Sequence, residues 1–491
     1  MKKIIATILT LAMLLTLAVV ATTSVSAQSE PWDGVSTAES FSSGTGTAED
    51  PYIIMTGAEL NKLSLEVTSL AGSCFKLGDD INLGGNIWMP IGPTSDNFFS
   101  GVFDGNGKTV YNFFVSNHPA GLFGVVGDST ISDLKIDHAT IRNTANNICG
   151  AIAGKSMRST IENIEIGENV VVGNGAMASG CQVGGIIGQC TDHCTVKNVI
   201  NRAAIDALYG KATSYAAGII GLFGGDSTLD GAINYGNISY SYVEEGREDK
   251  TLASGIIGAT GNGNLSGTVK NVINYGAVNS VSYASGIIGR VGNVDGLIAE
   301  NCFNLNPNIV GGKNADGVVT AGLVVAQVSF NGTFTNCISI TNDSLLLCGI
   351  IDEGKSCGEA NGIIGAASED EIGFVPEFVA VKENVAAAMP TWNEVTIEEA
   401  PDNTLPDDTG DEPVDTPADT PADTPVETPA DTPVDTPADT GDKTEPTTPE
   451  TDPTTPETEK PAEGGCGSVV AGGLAILAVV TLAGVALKKK D

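Results

Sequence analysis

Gly185-Ile186-Ile187-Gly188, Gly218-Ile219-Ile220-Gly221, Gly255-Ile256-Ile257-Gly258 and Gly286-Ile287-Ile288-Gly289 are copies of one tetrapeptide, and their recurrence decides the fold. Gly121-Leu122-Phe123-Gly124 and Gly362-Ile363-Ile364-Gly365 are near-copies. Gly150-Ala151-Ile152-Ala153-Gly154 and Gly322-Leu323-Val324 fill two gaps as worn versions. The spacing is roughly 30 to 40 residues, as in proteins whose units bury a core only by stacking.

A second element follows several of these copies. It reads Thr160-Ile161-Glu162-Asn163-Ile164, Thr195-Val196-Lys197-Asn198-Val199 and Thr268-Val269-Lys270-Asn271-Val272. Asn301-Cys302-Phe303 and Thr335-Asn336-Cys337-Ile338 are degenerate versions. A third element is Ile233-Asn234-Tyr235-Gly236-Asn237-Ile238, with a copy at Ile273-Asn274-Tyr275-Gly276-Ala277-Val278. Three short strands parted by Gly or Asn turns make one coil of an all-β parallel β-helix, or solenoid. Coils then stack at ~4.8 Å, and equivalent residues meet. The expected consequences are inward columns of Ile, glycines at positive φ on the corners, and a column of Asn163, Asn198, Asn271, Asn301 and Asn336 bonded amide to amide. A helical repeat is rejected, because Gly frames the units and helix formers are not periodic. Only 57–68 reads as a helix, suited to cover the first coil and its open sheet edge.

The two ends predict export. Lys2 and Lys3, an apolar run from Ile4 to Val20 and the small-residue exit to Ala27 form a signal peptide over 1–27. The β-helix ectodomain is expected over 28–400, with an N-terminal cap at about 43–115 and repeats at about 116–366. From 401 to 463 large apolar residues nearly vanish and Pro-x-Asp-Thr units recur, which predicts an extended acidic stalk. Gly467 to Leu487 is apolar and uncharged, long enough for one transmembrane helix across ~30 Å, and 488–491 forms a basic cytoplasmic tail. The order resembles Gram-positive wall-sorting signals, but no L-P-x-T-G precedes the span, so membrane retention and wall attachment both stay open.

The tetrapeptides resemble the GLUG-type repeats of bacterial surface proteins. So do the lead-in Gly46-Thr47-Ala48-Glu49-Asp50-Pro51-Tyr52, the stretch Asp79-Asp80-Ile81-Asn82-Leu83 and the stretch Gly101-Val102-Phe103-Asp104-Gly105-Asn106-Gly107. The likeness covers roughly residues 43 to 366. The resemblance implies a right-handed parallel β-helix, and more loosely an adhesin-like surface role.

The chain carries little that predicts catalysis. Such repeats also occur beside some IgA-cleaving metalloproteases, which need His-Glu-x-x-His. The histidines are His118, His138 and His193; none precedes Glu and none lies within four residues of another. Net charge is −36, which opposes binding to nucleic acid. Acidic residues such as Asp128, Asp133, Asp137, Asp226 and Asp230 are scattered and read as turn residues, Asp104 as a turn cap. No catalytic residue, cofactor or metal site is expected.

Cysteines are the odd feature. Cys302 and Cys337 hold one repeat position and should stack within bridging distance. Cys190, Cys194, Cys348 and Cys357 are further candidates for disulfides, with their pairing open. Cys181, Cys190, His193 and Cys194 offer soft ligands for zinc, but their spacing matches no zinc motif. The expected function is a surface-anchored, non-catalytic adhesin or display module. Its expected partner is a glycan or protein of the host or a neighbouring cell. The alternative is a carbohydrate-active β-helix enzyme, either a polysaccharide lyase or a glycosidase. Loops at 169–180 and 240–250 are expected to carry recognition, and 369–400 to form a C-terminal cap.

Overall fold

The structure, a computed structural model, describes residues 29–397 except 117–118, 144–147, 175–179, 208–212, 242–250, 262–266, 293–294, 314–316, 343, 354 and 356–362. The expected signal peptide, stalk and C-terminal span lie outside the described residues, as do Cys357 and most of the two candidate recognition loops. No helix among the described residues is long and apolar enough to cross a membrane.

Among the described residues 29 strands form one sheet wound into a β-solenoid. The central coils use four strands rather than the expected three, as in Gln182–Gly184, Ile187–Thr191, Thr195–Asn201 and Ala204–Ala207. The next coil repeats them in parallel register, pairing Gln182 with Tyr215, Ile187 with Ile220, Val196 with Leu229 and Ile205 with Ile238. In an earlier coil Phe123–Asn143 runs through three of these positions as one strand. The additional strand precedes the Gly-Ile-Ile-Gly unit, where Ser214-Tyr215-Ala216-Ala217, Thr251-Leu252-Ala253-Ser254 and Ser282-Tyr283-Ala284-Ser285 recur as a signature that the three-strand reading passed over. Val183, Ile186, Ile187, Cys190, Val196, Val199 and Ile205 all point inward and are buried. They belong to one apolar cluster that runs through the stacked coils, which is the main favourable term in such a fold.

The Asn column is present. Asn163, Asn198, Asn271, Asn301 and Asn336 all adopt positive φ, between 51° and 57°, and bend the strand in its middle. Asn tolerates this left-handed conformation better than any residue with a bulky side chain. Asn198 donates to Asn163, Asn301 to Asn271 and Asn336 to Asn301, at 3.2, 3.0 and 2.9 Å.

Two expectations about the glycines are corrected. Gly185, Gly188, Gly218, Gly221, Gly255, Gly258, Gly286 and Gly289 are absent from the positive-φ residues. They are glycines because of crowding. A Cβ on Gly185 would lie 2.1 Å from Gly218 O, and one on Gly188 would lie 2.7 Å from Ile148 Cγ2. The copy at Ile363 is also out of place. Ile363–Ala366 pairs with Cys337–Ile340, on the face of the Thr-x-x-Asn strands.

At the N-terminal end helix α1 (Gly57–Leu65) carries a capping box between Thr56 and Glu59. Its Leu60 and Leu63 join the main core. At the other end, α2 (Glu369–Gly373) and α3 (Pro376–Ala388) do fold back, but against the side of the solenoid rather than over its last coil. The cause is a second apolar column pointing outward. Ile200, Ile233, Ile273, Phe303 and Ile338 occupy one register position. Phe378, Val381 and Val385 of α3 cover them, with Phe303 and Phe378 in edge contact at 5.4 Å. Earlier coils place Glu165 and Lys135 at this position, so nothing there requires a cover.

Candidate functional site

The lateral helix creates a polar cleft of about 380 Å³ where it crosses the Asn column. Its lining includes Lys197, Asn198, Asp230, Gly231, Glu377 and Asn384. The cleft exists because the column is broken in one coil. Gly231, at φ 82°, stands where Asn198 and Asn271 stand in the adjoining coils. A Cβ on Gly231 would lie 3.0 Å from Asn198 Oδ1 and 3.2 Å from Val385 Cγ2. Asn271 therefore bonds Asp230 Oδ1 at 2.6 Å instead. Lys270 completes that carboxylate at 3.1 Å, and Lys197 pairs with Glu162. The break is visible in Thr228-Leu229-Asp230-Gly231-Ala232, but its partner helix is not, so sequence reasoning missed Gly231, Glu377 and Asn384.

The cysteines stack as expected but are not bonded as expected. Cys302 and Cys337 pair in register, yet both are free thiols. In parallel register the two side chains project the same way, and each sulfur turns to main-chain carbonyls instead. Cys302 Sγ lies 3.5 Å from Glu300 O, and Cys337 Sγ lies 3.6 Å from Ala299 O and Thr335 O. A hydrogen bond between the thiols raises Cys302, with burial adding to it, and lowers Cys337. Cys190 and Cys194 are likewise free thiols. The hydrogen bond from Cys190 lowers Cys194 to about 6, while burial raises Cys190. Cys348 is disulfide-bonded, as is Cys74, and Cys357 lies outside the described residues.

The zinc set does not assemble. Cys181 faces Tyr240 Oη at 3.3 Å, Cys194 faces Ser156 Oγ at 3.4 Å, and His193 turns outward to Asp192 at 3.0 Å. Among the described residues no group of three His, Cys, Asp or Glu side chains could hold a metal ion.

Among the scattered acids Asp128, Asp133 and Asp226 take the positive φ of tight corners, but Asp137 and Asp230 do not and lie within strands. Arg158 bridges Asp128 and Asp192 on neighbouring coils, at 2.9 and 2.7 Å. Its guanidinium holds both carboxyls below their usual range. Asp104 caps its turn through Asn106 N at 2.7 Å. Tyr235 and Tyr275 stack at 5.0 Å with Arg202 over Tyr235 at 4.7 Å, so the faces of Tyr235 are occupied.

No protein-family model matches the chain. Halomucin of Haloquadratum walsbyi is 29% identical over 164 residues, which is 31% of this chain and 2% of that protein. A protein of Evansella cellulosilytica assigned as a Gly-rich membrane protein is 32% identical over 145 residues, 27% of this chain and 16% of that protein. The chain thus spans a small part of both curated relatives. A crystal structure from Bacteroides ovatus, assigned as an immunoglobulin A1 protease, aligns at 18% identity and a TM-score of 0.38, covering 69% of this chain and 90% of that chain.

Proposed function

We propose that the protein is a non-catalytic, surface-anchored β-solenoid of the GLUG-repeat type that binds a glycan or protein of a host or neighbouring cell. In this reading the coils wind right-handed, the hand of nearly all parallel crossovers. The observation that carries it is how the coils spend their polar side chains. The Asn columns and corner ion pairs bond from coil to coil, which builds a rigid rod and leaves a lateral polar cleft open. Names of the matched relatives, a halomucin and a membrane protein, fit a surface setting. An acidic stalk and C-terminal span would lift the rod from the membrane.

The test is adhesion of the purified full chain to mucin-coated and matrix-coated surfaces, run beside an assay of reducing-sugar release from acidic polysaccharides. Saturable adhesion without sugar release is expected. Sugar release would favour the polysaccharide lyase or glycosidase reading instead. Silence in both assays would remove the adhesin reading.

A further inference from the structure

We propose that the cleft beneath α3 is a saccharide subsite that takes one or two rings of an uncharged glycan. This inference rests on the glycan-binding reading above and gives it a place.

The first argument is the pattern of hydrogen-bond capacity. Gly231 removes the amide that would donate to Asn198, so among the described residues Asn198 Oδ1 has no donor. Across the cleft Glu377 and Asn384 lie seven residues apart on one face of α3, with Val381 and Val385 between and beside them. Neither Glu377 nor Asn384 bonds a described residue, and both are exposed. The cleft therefore offers amide donors, amide and carboxylate acceptors, and a small apolar floor. Sugar hydroxyls are donors and acceptors at once and match such a mixture. A few convergent polar groups over an apolar floor is the usual make-up of a small-molecule site, and the volume falls at the lower end of the ~300–1,000 Å³ range.

Charge then selects among ligands. Both lysines near the cleft are already paired, Lys197 with Glu162 and Lys270 with Asp230. Glu377 is left as the unpaired charge in the lining. An anionic ligand would meet that carboxylate without a free cation, which disfavours uronic acids, sulfated sugars and phosphates. A peptide fits less well, because the backbone groups that could pair with it are already used between coils.

The test uses the purified full chain and titration calorimetry with maltose, cellobiose, lactose and N,N′-diacetylchitobiose, and with a hyaluronan disaccharide as the anionic probe. At least one neutral disaccharide should bind saturably, and the anionic probe should bind more weakly. Asn384→Ala should weaken the neutral sugar roughly three- to tenfold, the worth of one hydrogen bond, and Glu377→Gln by at least as much. Both positions are exposed on the helix, and an unchanged melting curve checks that the fold survives. The proposal is overturned if no neutral disaccharide binds, if both variants bind as the parent does, or if the anionic probe binds best. Should any of these occur while the chain still adheres to mucin, the subsite is misplaced and the adhesin reading stands. Loss of adhesion as well would take both.

Discussion

The buried amide of Asn234 fills the space that a side chain on Gly218 would need: a Cβ there would lie 2.4 Å from Asn234 Cγ and 2.2 Å from Gly255 O. The same relation links Gly185 to Asn201, Gly255 to Asn274 and Gly286 to Asn304, at 2.6, 2.3 and 2.3 Å. In two coils the amide and the glycine are both missing, although Gly121 keeps its glycine beside Ile136 at the amide position, crowded there by Gly150 O and Phe123 O at 2.5 and 2.7 Å. Ile166 holds the Asn position in one coil, and Ala151 holds the Gly position there. Ser339 and Leu323 make the same exchange further on. From Gly185 to Asn304 the chain thus repeats a matched pair rather than a glycine alone.

Gly218→Ala should destabilise the solenoid by about 1–3 kcal/mol, the cost of overpacking a filled interior. Urea unfolding of the reduced protein checks this. Asn234→Ala in the same chain should not restore stability, because it breaks the amide bonds to Asn201 and Asn274 and Gly255 O still blocks the new methyl group. The double variant should lose less than the sum of the separate effects. A Gly218→Ala protein as stable as the parent would contradict the close contact.

The four amides form a buried column of their own. Asn201 donates to Asn234, Asn234 to Asn274, and Asn274 to Asn304, at 2.8, 2.8 and 2.9 Å. Asn304 ends the run on Ser339 Oγ at 3.0 Å. Asn234→Leu strands a donor on Asn201 and removes the bond to Asn274 Oδ1. Each buried group left unpaired costs about 1–3 kcal/mol, so a loss of at least about 2 kcal/mol is expected. Hydrogen exchange should show protection falling first in the coils holding Asn201 and Asn274. Uniform loss along the whole rod would contradict a local column.

The solenoid and the outer Asn column were legible because stacking makes equivalent residues recur, and recurrence is visible along the chain. Asn198 and Asn271 announce themselves this way. The inner column was written in the same repeats, at Asn234 and Asn274, but its partnership with Gly218 and Gly255 needs the coil closed in space. Crowding at Gly218 and a positive φ at Gly231 leave the same letter in the sequence, so the glycines were assigned one cause when they have two. The lateral docking of α3 was half legible. Val199-Ile200, Val272-Ile273 and Cys302-Phe303 each set two apolar residues side by side in a strand, and one of each pair must face outward. The cleft was not legible, since it needs that helix and the broken column together.

Cys194 sets a pH dependence whose sign can be worked out. Its folded value of about 6 lies below the ordinary thiol value of about 8.5. From about pH 6 to 8.5 the unfolded chain holds a proton that the folded protein has released, so stability rises with pH. Above about 8.5 the unfolded chain ionises Cys190 as well, which the folded protein keeps neutral by burial, so stability falls again. Cys194→Ala should shrink the rise to the part that Cys337, the other thiol held low in the fold, contributes, and leave the fall. The measurement is the urea midpoint against pH with thiols kept reduced. A parent protein with no rise across that window would mean that Cys194 is not a thiolate.

The segment after α3 is held by different forces from the helix itself. Trp392 Nε1 donates to Glu165 Oε2 at 3.2 Å, and Asn393 Nδ2 donates to Asp80 Oδ2 at 2.8 Å. Glu165 is also bonded by Arg202 at 3.1 Å. The helix is held instead by burial of Phe378, Val381 and Val385 on the outward apolar column. Trp392→Ala should therefore free 389–397 while α3 stays docked. Phe378→Ala removes the aromatic contact to Phe303 and opens a cavity, at about 3–5 kcal/mol where the site cannot collapse, so α3 itself should undock. Hydrogen exchange with limited proteolysis separates the two. The first variant should lose protection only beyond 388, and the second across 376–388 with the coils unchanged. If Trp392→Ala also releases the helix, the strap rather than the apolar column is what holds α3, and the cleft beneath it depends on residues far from its lining.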